Sequence, residues 1–251
     1  MWIFHINHPY EKKMIKHIVS LSGGKDSTAM LLRMLELRMQ VDDIVWFDCG
    51  NWEFPQMKNH IQKIENYISR KITVVKDRKG FDYWAFEHKF TRGPRKGKQI
   101  GYGFPSVYRR YCTRQKVAGL DKLLKENIVY IGYAVDEKNR LNKLIIKSKK
   151  YQIKYPLIDW KWTEKDCLEY CYSKGFDWDG LYKLFRRVSC WCCPLQRIEG
   201  LRRLRKHFPV LWERLLRMQE KSWNSFRIDG TTVFDLENRF RDEDRQFSLG
   251  I

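Results

Sequence analysis

The sequence predicts an α/β fold in which a doubly wound, mainly parallel sheet is followed by a helical C-terminal extension. Short apolar runs typical of buried strands alternate with segments of helical spacing over about the first 155 residues. Polar residues and glycines follow the predicted strands, as at the carboxyl edge of open parallel sheets. We therefore predict an α/β domain over residues 1–155 and a mostly helical, cysteine-containing extension over 156–251. No low-complexity linker separates the two, so a single domain is the alternative.

The first predicted unit is a strand, a glycine loop and a helix. Ile18–Leu21 is a short apolar run that predicts a buried strand, and Thr28–Leu35 is rich in helix formers and lacks Gly and Pro. Between them lies a loop of six residues: Ser22, Gly23, Gly24, Lys25, Asp26 and Ser27.

This loop has the chemistry of a phosphate-binding site. Glycines let backbone amides approach an anion closely, and the start of a helix favours negative charge. Lys25 adds a mobile cation, and Ser22 and Ser27 add hydroxyl donors. The spacing of a Walker A loop is absent. The alternative is an ordinary strand-to-helix turn.

The next predicted elements repeat the alternation. Asp43–Phe47 predicts a second strand, and the polar segment after it contains Asp48, Gly50 and Glu53. Pro55 suits the first turn of a helix that continues over Met57–Ile68. A third strand is predicted over Lys71–Lys76.

The pattern then weakens before it recovers. We predict a helix over residues 77–90, a long basic loop over 91–111, a helix over Thr113–Glu126 and a fourth strand over Ile128–Gly132. Residues 163–221 are mostly helical in character, with an interruption at 190–194.

Thr163 and Asp166 mark the start of the first helix in the extension. Thr163 is predicted as its N-cap, and Asp166 then stands at the third helical position.

The charge of the chain favours a polyanionic partner. The net charge is +19, and nine Lys or Arg but no acid occur from Lys89 to Lys116. A second basic segment without acids runs from Lys138 to Lys154. Aromatic residues that could stack on bases are interleaved with the first segment, namely Tyr102, Phe104, Tyr108 and Tyr111. Nucleic acid is the partner we expect. The alternatives are a generally basic surface and loops that bind a small phosphorylated substrate.

Nothing in the composition indicates a membrane or secreted protein. No apolar run approaches the ~18–20 residues that span a bilayer, and the segment that begins at Met1 lacks the pattern of a signal peptide. The seven cysteines are an odd number, so we expect reduced thiols or ligands in a cytoplasmic protein.

Four cysteines have a spacing that suits a metal site. Cys190 and Cys193 form a CxxC pair with Cys192 beside them, and Cys112 precedes a predicted helix. Two thiolates of one turn can reach one metal centre, which a distant cysteine then completes. The alternatives are structural zinc and buried thiols without a ligand. Cys167 and Cys171 lie one helical turn apart and are predicted to be core residues.

Taken in order, these motifs resemble those of the phosphoadenosine phosphosulfate (PAPS) reductase family, within the PP-loop superfamily. Ser22–Ser27 resembles the SGGxDS loop, and Phe47–Pro55 resembles the D-T-G-x-x-F-P segment, with Cys49 in place of Thr and one extra residue. Tyr111–Val117 resembles the C-x-x-x-K segment, and Gly132–Arg140 the G-x-x-x-x-E-x-x-R segment. The resemblance covers roughly residues 18–195. The family that the chain resembles also includes the sulfur-handling subunits of DNA phosphorothioation systems.

The resemblance implies a PP-loop fold like that of the adenine nucleotide alpha hydrolases, with ATP or PAPS and Mg²⁺ as ligands. Catalytic roles would fall to Lys25, Asp26, Ser27 and Asp48. Nucleotide contacts would come from these and from Ser20, Ser22, Gly23, Gly24, Gly50, Glu53, Lys116, Gly132, Glu137 and Arg140. The alternative for Glu137 and Arg140 is a salt bridge with each other.

The iron–sulfur members of the family use a Cys-Cys pair and a CxxC pair. Here the first pair is reduced to Tyr111-Cys112, so the resemblance implies a [4Fe-4S] cluster held by Cys112, Cys190 and Cys193, with Cys192 as a fourth candidate. The nucleophilic cysteine that sulfonucleotide reductases carry near the C-terminus has no counterpart after Cys193.

Three functional hypotheses follow. The first is an ATP-dependent enzyme that cleaves ATP at the α-phosphate to activate a substrate, such as nucleic acid, for sulfur insertion from a donor protein or small thiol. The second is a divergent PAPS or adenylyl-sulfate reductase that uses Cys192 or an external thiol. The third is a subunit that binds nucleotide and nucleic acid without turnover of its own.

Overall fold

The computed structural model describes residues 14–98, 100–137 and 152–249 of the chain. At its centre five strands, all parallel, form a sheet in the order β3-β2-β1-β4-β5. The strands are β1 (His17–Leu21), β2 (Asp43–Asp48), β3 (Thr73–Lys76), β4 (Ile128–Ile131) and β5 (Gln152–Lys154). The prediction of a mainly parallel α/β sheet is confirmed.

The described residues also form ten helices. They are α1 (Lys25–Glu36), α2 (Pro55–Ile68), α3 (Gly80–Asp82), α4 (Tyr111–Leu124), α5 (Pro156–Asp159), α6 (Glu164–Ser173), α7 (Leu181–Leu184), α8 (Ile198–His207), α9 (Pro209–Lys221) and α10 (Val233–Leu249). Short 3₁₀ turns occur at Gly50–Trp52, Val135–Glu137 and Trp178–Gly180, and a π-helical turn follows α3 at Tyr83–Glu87.

Helices cover both faces of the sheet, which explains why the central strands are apolar in successive residues. Met30 and Leu31 of α1 are buried on one face in the main core. Leu124 of α4 packs on the other face with Ile18 and Val129. Strands buried on both sides lose the alternation of polar and apolar residues, and they become short apolar runs.

The order of the strands determines where a ligand can bind. From β1 the chain continues to β2 and β3 on one side of β1, and it later returns to form β4 and β5 on the other side. At such a switch point, the loops at the carboxyl ends of the strands diverge and leave a crevice. The predicted phosphate loop follows β1 directly and therefore lies at this crevice.

The extension belongs to the same hydrophobic core as the sheet. Leu236 and Phe240 of α10 and Trp212 of α9 are buried in the cluster that also contains Val19 of β1. Cys167 and Cys171 of α6 are completely buried, which confirms their assignment to the core. The predicted capping of α6 is also present, because Thr163 and Asp166 form a reciprocal capping box.

Several predicted bounds were wrong. Residues 77–90 are helical only over 80–87, the edge strand β5 was not predicted, and neither was α10. Arg140 and most of the second basic segment lie outside the described residues. No helix among the described residues combines the length and the apolar character needed to cross a membrane.

Candidate nucleotide-binding site

The glycine loop forms a tight turn at the start of α1. Gly23 has a φ of +76°, which favours glycine, and Gly24 is the extended residue before α1 begins at Lys25. The hydroxyls of Ser22 and Ser27 lie 2.9 Å apart, and the amide of Ser22 donates to Ser27 Oγ at 3.1 Å. The two serines therefore tie the two ends of the loop together.

Lys25 holds a buried cation inside this loop. The residue is only 6% exposed. Its Nζ lies 3.1 Å from Glu164 Oε2 and within 3.2–3.3 Å of the two carboxylate oxygens of Asp26. Removing an ammonium from water is costly unless opposite charges surround it, and these two carboxylates provide that compensation. The side chain is thus fixed at the crevice instead of extending into solvent.

Asp26 has a raised pKa. Burial raises its pKa from 3.8 to about 6, although Lys25 acts in the opposite direction, and the nearby charges of Glu164 and Glu137 add to the increase. Its Oδ1 is buried and accepts no hydrogen bond within the described chain. Near neutral pH this carboxyl can therefore accept or release a proton, or bind a cation.

Three residues of the extension hold the loop, and the sequence did not indicate any of them. The amide of Lys25 donates to the hydroxyl of Tyr182 at 2.8 Å, and the indole of Trp178 donates to the carbonyl of Gly23 at 2.7 Å. Glu164 is the third, through Lys25. The capping motif at Thr163 placed Glu164 at the first helical position but gave no indication that it faces Lys25.

Gly132 lies directly against the start of α1. A Cβ built on Gly132 would come within 2.7 Å of Ser27 Cα and 2.8 Å of Ser27 N. Only glycine therefore lets the end of β4 approach the loop so closely. Ser20 lies behind the loop, in the register of β1 opposite Val45 and Ile131.

Glu137 stands near this junction. Its Oε1 lies 3.9 Å from Arg187 Nη2, and its charge contributes to the field at Asp26. Its predicted alternative partner, Arg140, is outside the described residues.

A second group of predicted residues lies at the carboxyl end of β2. Asp48 accepts a hydrogen bond from the amide of Gly50 at 2.7 Å, and Lys58 Nζ lies 3.5 Å from its Oδ2. Gly50 has a φ of +62°. Asp48 and Gly50 line a cleft of about 230 Å³ at the ends of β2 and β3. Asp48 is therefore available at the edge of the crevice but is already partly neutralised.

Glu53 and Lys116 pair with each other. Lys116 Nζ lies 3.8 Å from Glu53 Oε1, and Glu53 is 7% exposed. Burial raises the pKa of Glu53, and its Oε2 is buried without a hydrogen-bond partner among the described residues. The thiols of Cys49 and Cys190 lie beside this pair. The assignment of both residues to the nucleotide stays a prediction.

Cys49 joins the cysteines that the sequence had selected. Its thiol donates to the carbonyl of Phe47 at 3.7 Å. The nearby Cys49 thiol lowers the pKa of Cys190, and Lys116 acts in the same direction. Cys112 and Cys193 lie within electrostatic range of Cys190. Cys192 is completely buried. The cysteine at residue 49, where the family segment has Thr, was the sequence feature that could have indicated this neighbour of Cys190.

The sequence selected Cys112, Cys190, Cys192 and Cys193 as ligands of a cluster. Within the described ranges, no group of three or more His, Cys, Asp or Glu side chains has the arrangement to hold a metal ion. The partly exposed ammonium of Lys116 lies beside Cys49 and Cys190. The [4Fe-4S] cluster that the resemblance implies therefore stays a prediction.

A parallel sheet in this order, with a serine–glycine–lysine loop at its carboxyl edge, defines the chain as an α/β protein of the PP-loop fold class. The model of the phosphoadenosine phosphosulfate reductase domain matches residues 16–196. The chain therefore belongs to this family, and the resemblance inferred from its motifs is confirmed.

Two curated relatives come from Methanocaldococcus jannaschii. Uncharacterized protein MJ0066 is 28% identical over 228 residues, which cover 83% of this chain and 42% of that protein. Uncharacterized protein MJ0973 is 24% identical over 209 residues, which cover 78% of this chain and 45% of that protein. The chain thus spans less than half the length of each of these relatives.

Among solved structures, the chain is similar to the U34-tRNA thiolase NcsA from Methanococcus maripaludis with its [4Fe-4S] cluster. The sequence identity is 14% and the TM-score is 0.42, with 84% of this chain and 72% of that chain covered.

Proposed function

We propose that this chain is an ATP-dependent PP-loop enzyme that cleaves ATP at the α-phosphate and activates a nucleic acid for sulfur insertion. The observation that carries the proposal is the buried Lys25 ammonium, fixed at the start of α1 by Asp26 and Glu164. A fixed cation beside the start of a helix is suited to charge that develops on a phosphate in the transition state.

The proposed reaction joins an acceptor oxygen of the substrate to the α-phosphorus of ATP. The bond from that phosphorus to the bridging oxygen breaks, and pyrophosphate leaves with the electron pair. Lys25, the amides near Gly24 and the hydroxyl of Ser27 would stabilise the additional negative charge. Hydrosulfide supplied by a sulfur donor then attacks the activated carbon of the substrate, and AMP leaves with the acceptor oxygen and its bonding electrons. Loss of the proton from the added sulfur leaves a carbon–sulfur double bond.

A divalent cation fits this site by the chemistry of its oxygens. Asp26 Oδ1 is a buried carboxylate oxygen without a hydrogen bond in the described chain, and Asp48 stands at the end of the neighbouring strand. These two carboxylates would hold Mg²⁺, which prefers such ligands and would neutralise charge on the phosphates.

The Lys25→Ala substitution tests the proposal. We expect ATP to bind about 10- to 100-fold more weakly, because a charge-assisted hydrogen bond is lost. We also expect pyrophosphate release in the presence of RNA or DNA to disappear. Lys71→Ala removes an exposed lysine just before β3, at the opposite edge of the sheet, and serves as the control, which should bind ATP like the wild type.

Binding can be followed by calorimetry and release by a coupled phosphate assay. Unchanged ATP affinity in Lys25→Ala would contradict the assignment of the loop. ATP and nucleic-acid binding without any pyrophosphate release in the wild-type chain would instead support a binding subunit without turnover.

A second candidate is a divergent PAPS or adenylyl-sulfate reductase, and one observation favours it. Cys190 is partly exposed and lies beside Cys49 and Lys116, which lower its pKa and thereby favour a reactive thiolate. Cys192, which the sequence suggested for this role, is completely buried. Release of sulfite from PAPS in the presence of a thiol, and its loss in Cys190→Ser, would favour this candidate.

A further inference from the structure

The long basic loop before α4 and the turn after α9 form one continuous surface. We use the name basic–aromatic surface for the exposed side chains of these two segments: Lys89, Arg92, Lys96, Lys98, Ile100, Val107, Tyr108, Arg110 and Trp223. Trp223 connects the segments, because its indole donates to the carbonyl of Gly101 at 3.3 Å.

Hydrogen bonds hold the inner side of this loop rigidly. Asn224 bonds with both the amide and the carbonyl of Phe104, at 2.8 and 3.1 Å. The hydroxyl of Tyr111 donates to the carbonyl of Gly103 at 3.0 Å. Gly103 is itself required here, because a Cβ would come within 1.9 Å of Asn224 Oδ1. The outer side chains therefore project from a fixed frame.

The aromatic residues divide into a buried set and an exposed set. Phe104 and Tyr111 are at most 2% exposed, so the expectation that they stack on bases was wrong. Tyr108 is 89% exposed, and Trp223 is half-exposed. The guanidinium of Arg109 lies 5.2 Å from the centre of the Trp223 ring. Arg109 follows Tyr108 directly in the chain, so one arginine is adjacent to the first exposed ring in sequence and lies over the second. Exposed rings and an arginine are suited to stacking on flat, electron-rich ligands.

The cations of this surface have no carboxylate partner among the described residues. The segment from Lys89 to Lys116 contains no acid. None of the basic residues of the basic–aromatic surface pairs with a carboxylate in the parts of the chain that are described, whereas Arg205 of α8 pairs with both Glu237 and Asp244. Charge of one sign without internal neutralisation is complementary to a polyanion.

The position of the surface relates it to the nucleotide site. The loop belongs to the connection that leaves the carboxyl end of β3 and leads to the start of α4. In a parallel sheet, such connections lie at the same edge as the loop that follows β1. A long ligand held on the surface can therefore extend towards the crevice.

We propose that the basic–aromatic surface binds single-stranded nucleic acid, with bases stacked on Tyr108 and Trp223 and phosphates beside the lysines and arginines of the loop. This inference rests on the proposed function and specifies how the substrate is held. Unpaired bases are required, because the rings of a duplex are stacked on each other and cannot stack on protein side chains.

The first experiment measures the affinity for labelled single strands by fluorescence anisotropy without ATP. The probes are ~12-nucleotide oligouridine and oligothymidine, a length typical of such sites. Tyr108→Ala should weaken binding about 5- to 100-fold, the loss expected for one stacked base. Tyr67→Ala removes an aromatic side chain that is 55% exposed but lies on α2, and it should bind like the wild type. Either probe should quench the tryptophan fluorescence of the wild type more than that of Trp223→Phe.

The second experiment measures how affinity depends on salt. In the double variant Lys96→Ala/Lys98→Ala, the slope of log K against log salt should decrease by about 1.4, because two phosphate contacts are lost. The matched control is Lys71→Ala/Lys125→Ala. These lysines are exposed and lie just before β3 and β4, at the opposite edge of the sheet, so the slope should stay unchanged.

Three outcomes would overturn the inference: equal affinity in Tyr108→Ala and Tyr67→Ala, equal slopes in the two double variants, or tighter binding of a duplex of the same sequence. Binding to vesicles of anionic phosphatidylglycerol without binding to either oligonucleotide would also overturn it. Because ATP is absent from these measurements, they are independent of the Lys25→Ala test. Oligonucleotide binding without pyrophosphate release would support the proposed role of this surface and contradict the proposed reaction.

Discussion

At the scale of single residues, the charge balance of Lys25, Asp26 and Glu164 controls the site. One ammonium faces two carboxylates, so the group carries a net negative charge when both are ionised. An incoming phosphate adds further negative charge and favours the protonated form of Asp26, unless a metal cation accompanies it. Either a proton on Asp26 or a metal cation bound to it can therefore compensate the negative charge of the phosphate.

The Asp26→Asn substitution tests this balance through stability. The pKa of Asp26 is raised from 3.8 to about 6 by burial, so the folded state binds more protons than the unfolded state between these values. The contribution of Asp26 to the free energy of unfolding is fully present below pH ~4 and is lost as the pH rises through ~6. The free energy of unfolding falls by about 3 kcal/mol over this range. We expect denaturant unfolding to show this decrease in the wild type.

In Asp26→Asn the contribution of residue 26 should disappear, because Asn does not titrate, so the decrease should be smaller than in the wild type. Asp166→Asn is the control: its pKa is lowered by hydrogen bonds from Thr163, so the decrease between pH ~4 and ~6 should remain. A wild-type curve that is flat over this range would contradict the assignment.

At the scale of elements, the extension positions the glycine loop. Trp178, in the 3₁₀ turn before α7, is 2% exposed, donates to the carbonyl of Gly23 and stacks on His60 at 4.3 Å. His60 in turn hydrogen-bonds with Thr28 of α1 at 3.0 Å. Residues that come late in the chain thus fix the turn that comes early in it.

Trp178→Phe removes one donor and keeps most of the apolar volume. The carbonyl of Gly23 would be left without its partner, so the free energy of unfolding should fall by about 1–3 kcal/mol. ATP should also bind more weakly, because the loop is less well fixed. Trp160→Phe, at a partly buried tryptophan of the same extension, should leave ATP binding unchanged. Calorimetric titration of both variants makes the comparison, and equal ATP affinities would contradict this role of Trp178.

The elements that could be predicted from sequence are those with a strong local pattern. β1, β2 and β4 are apolar runs because helices cover both faces of the sheet there. β5 has three residues, two of them polar and exposed, and therefore has no such signal. The contacts of Lys25 with Glu164 and Tyr182 join residues 139 and 157 positions apart, which no local spacing can indicate. In α10 the signal was present, since the buried Val233, Leu236 and Phe240 have helical spacing.

At the scale of the whole molecule, α10 closes the core. Phe240 is fully buried, and its ring lies 5.8 Å from that of Trp212 in α9. Arg205 of α8 adds hydrogen bonds to Glu237 and Asp244 of α10. The last described helix is therefore joined to the rest of the extension by apolar packing and by charged groups.

Phe240→Ala tests whether this packing stabilises the sheet as well. Loss of a fully buried phenyl ring should lower the free energy of unfolding by about 3–5 kcal/mol. Phe234→Ala, on the same helix but 41% exposed, should cost much less. If the sheet and the extension form one cooperative unit, circular dichroism and tryptophan fluorescence will report the same lowered midpoint. Two separate transitions would instead support the predicted boundary near residue 155.

The hydrogen bond from the Lys25 amide to Tyr182 has a consequence for how the site responds to a ligand. This amide is the first of helix α1, and it already donates a hydrogen bond to the phenol oxygen of Tyr182 at 2.8 Å. A phosphate that accepts a hydrogen bond from this amide must displace the phenol. Binding then exchanges one hydrogen-bond acceptor for another, with a small net gain in free energy. Occupancy of the crevice would then release Tyr182 and loosen α7. Amide exchange across residues 178–184 would thus report nucleotide binding from outside the loop itself.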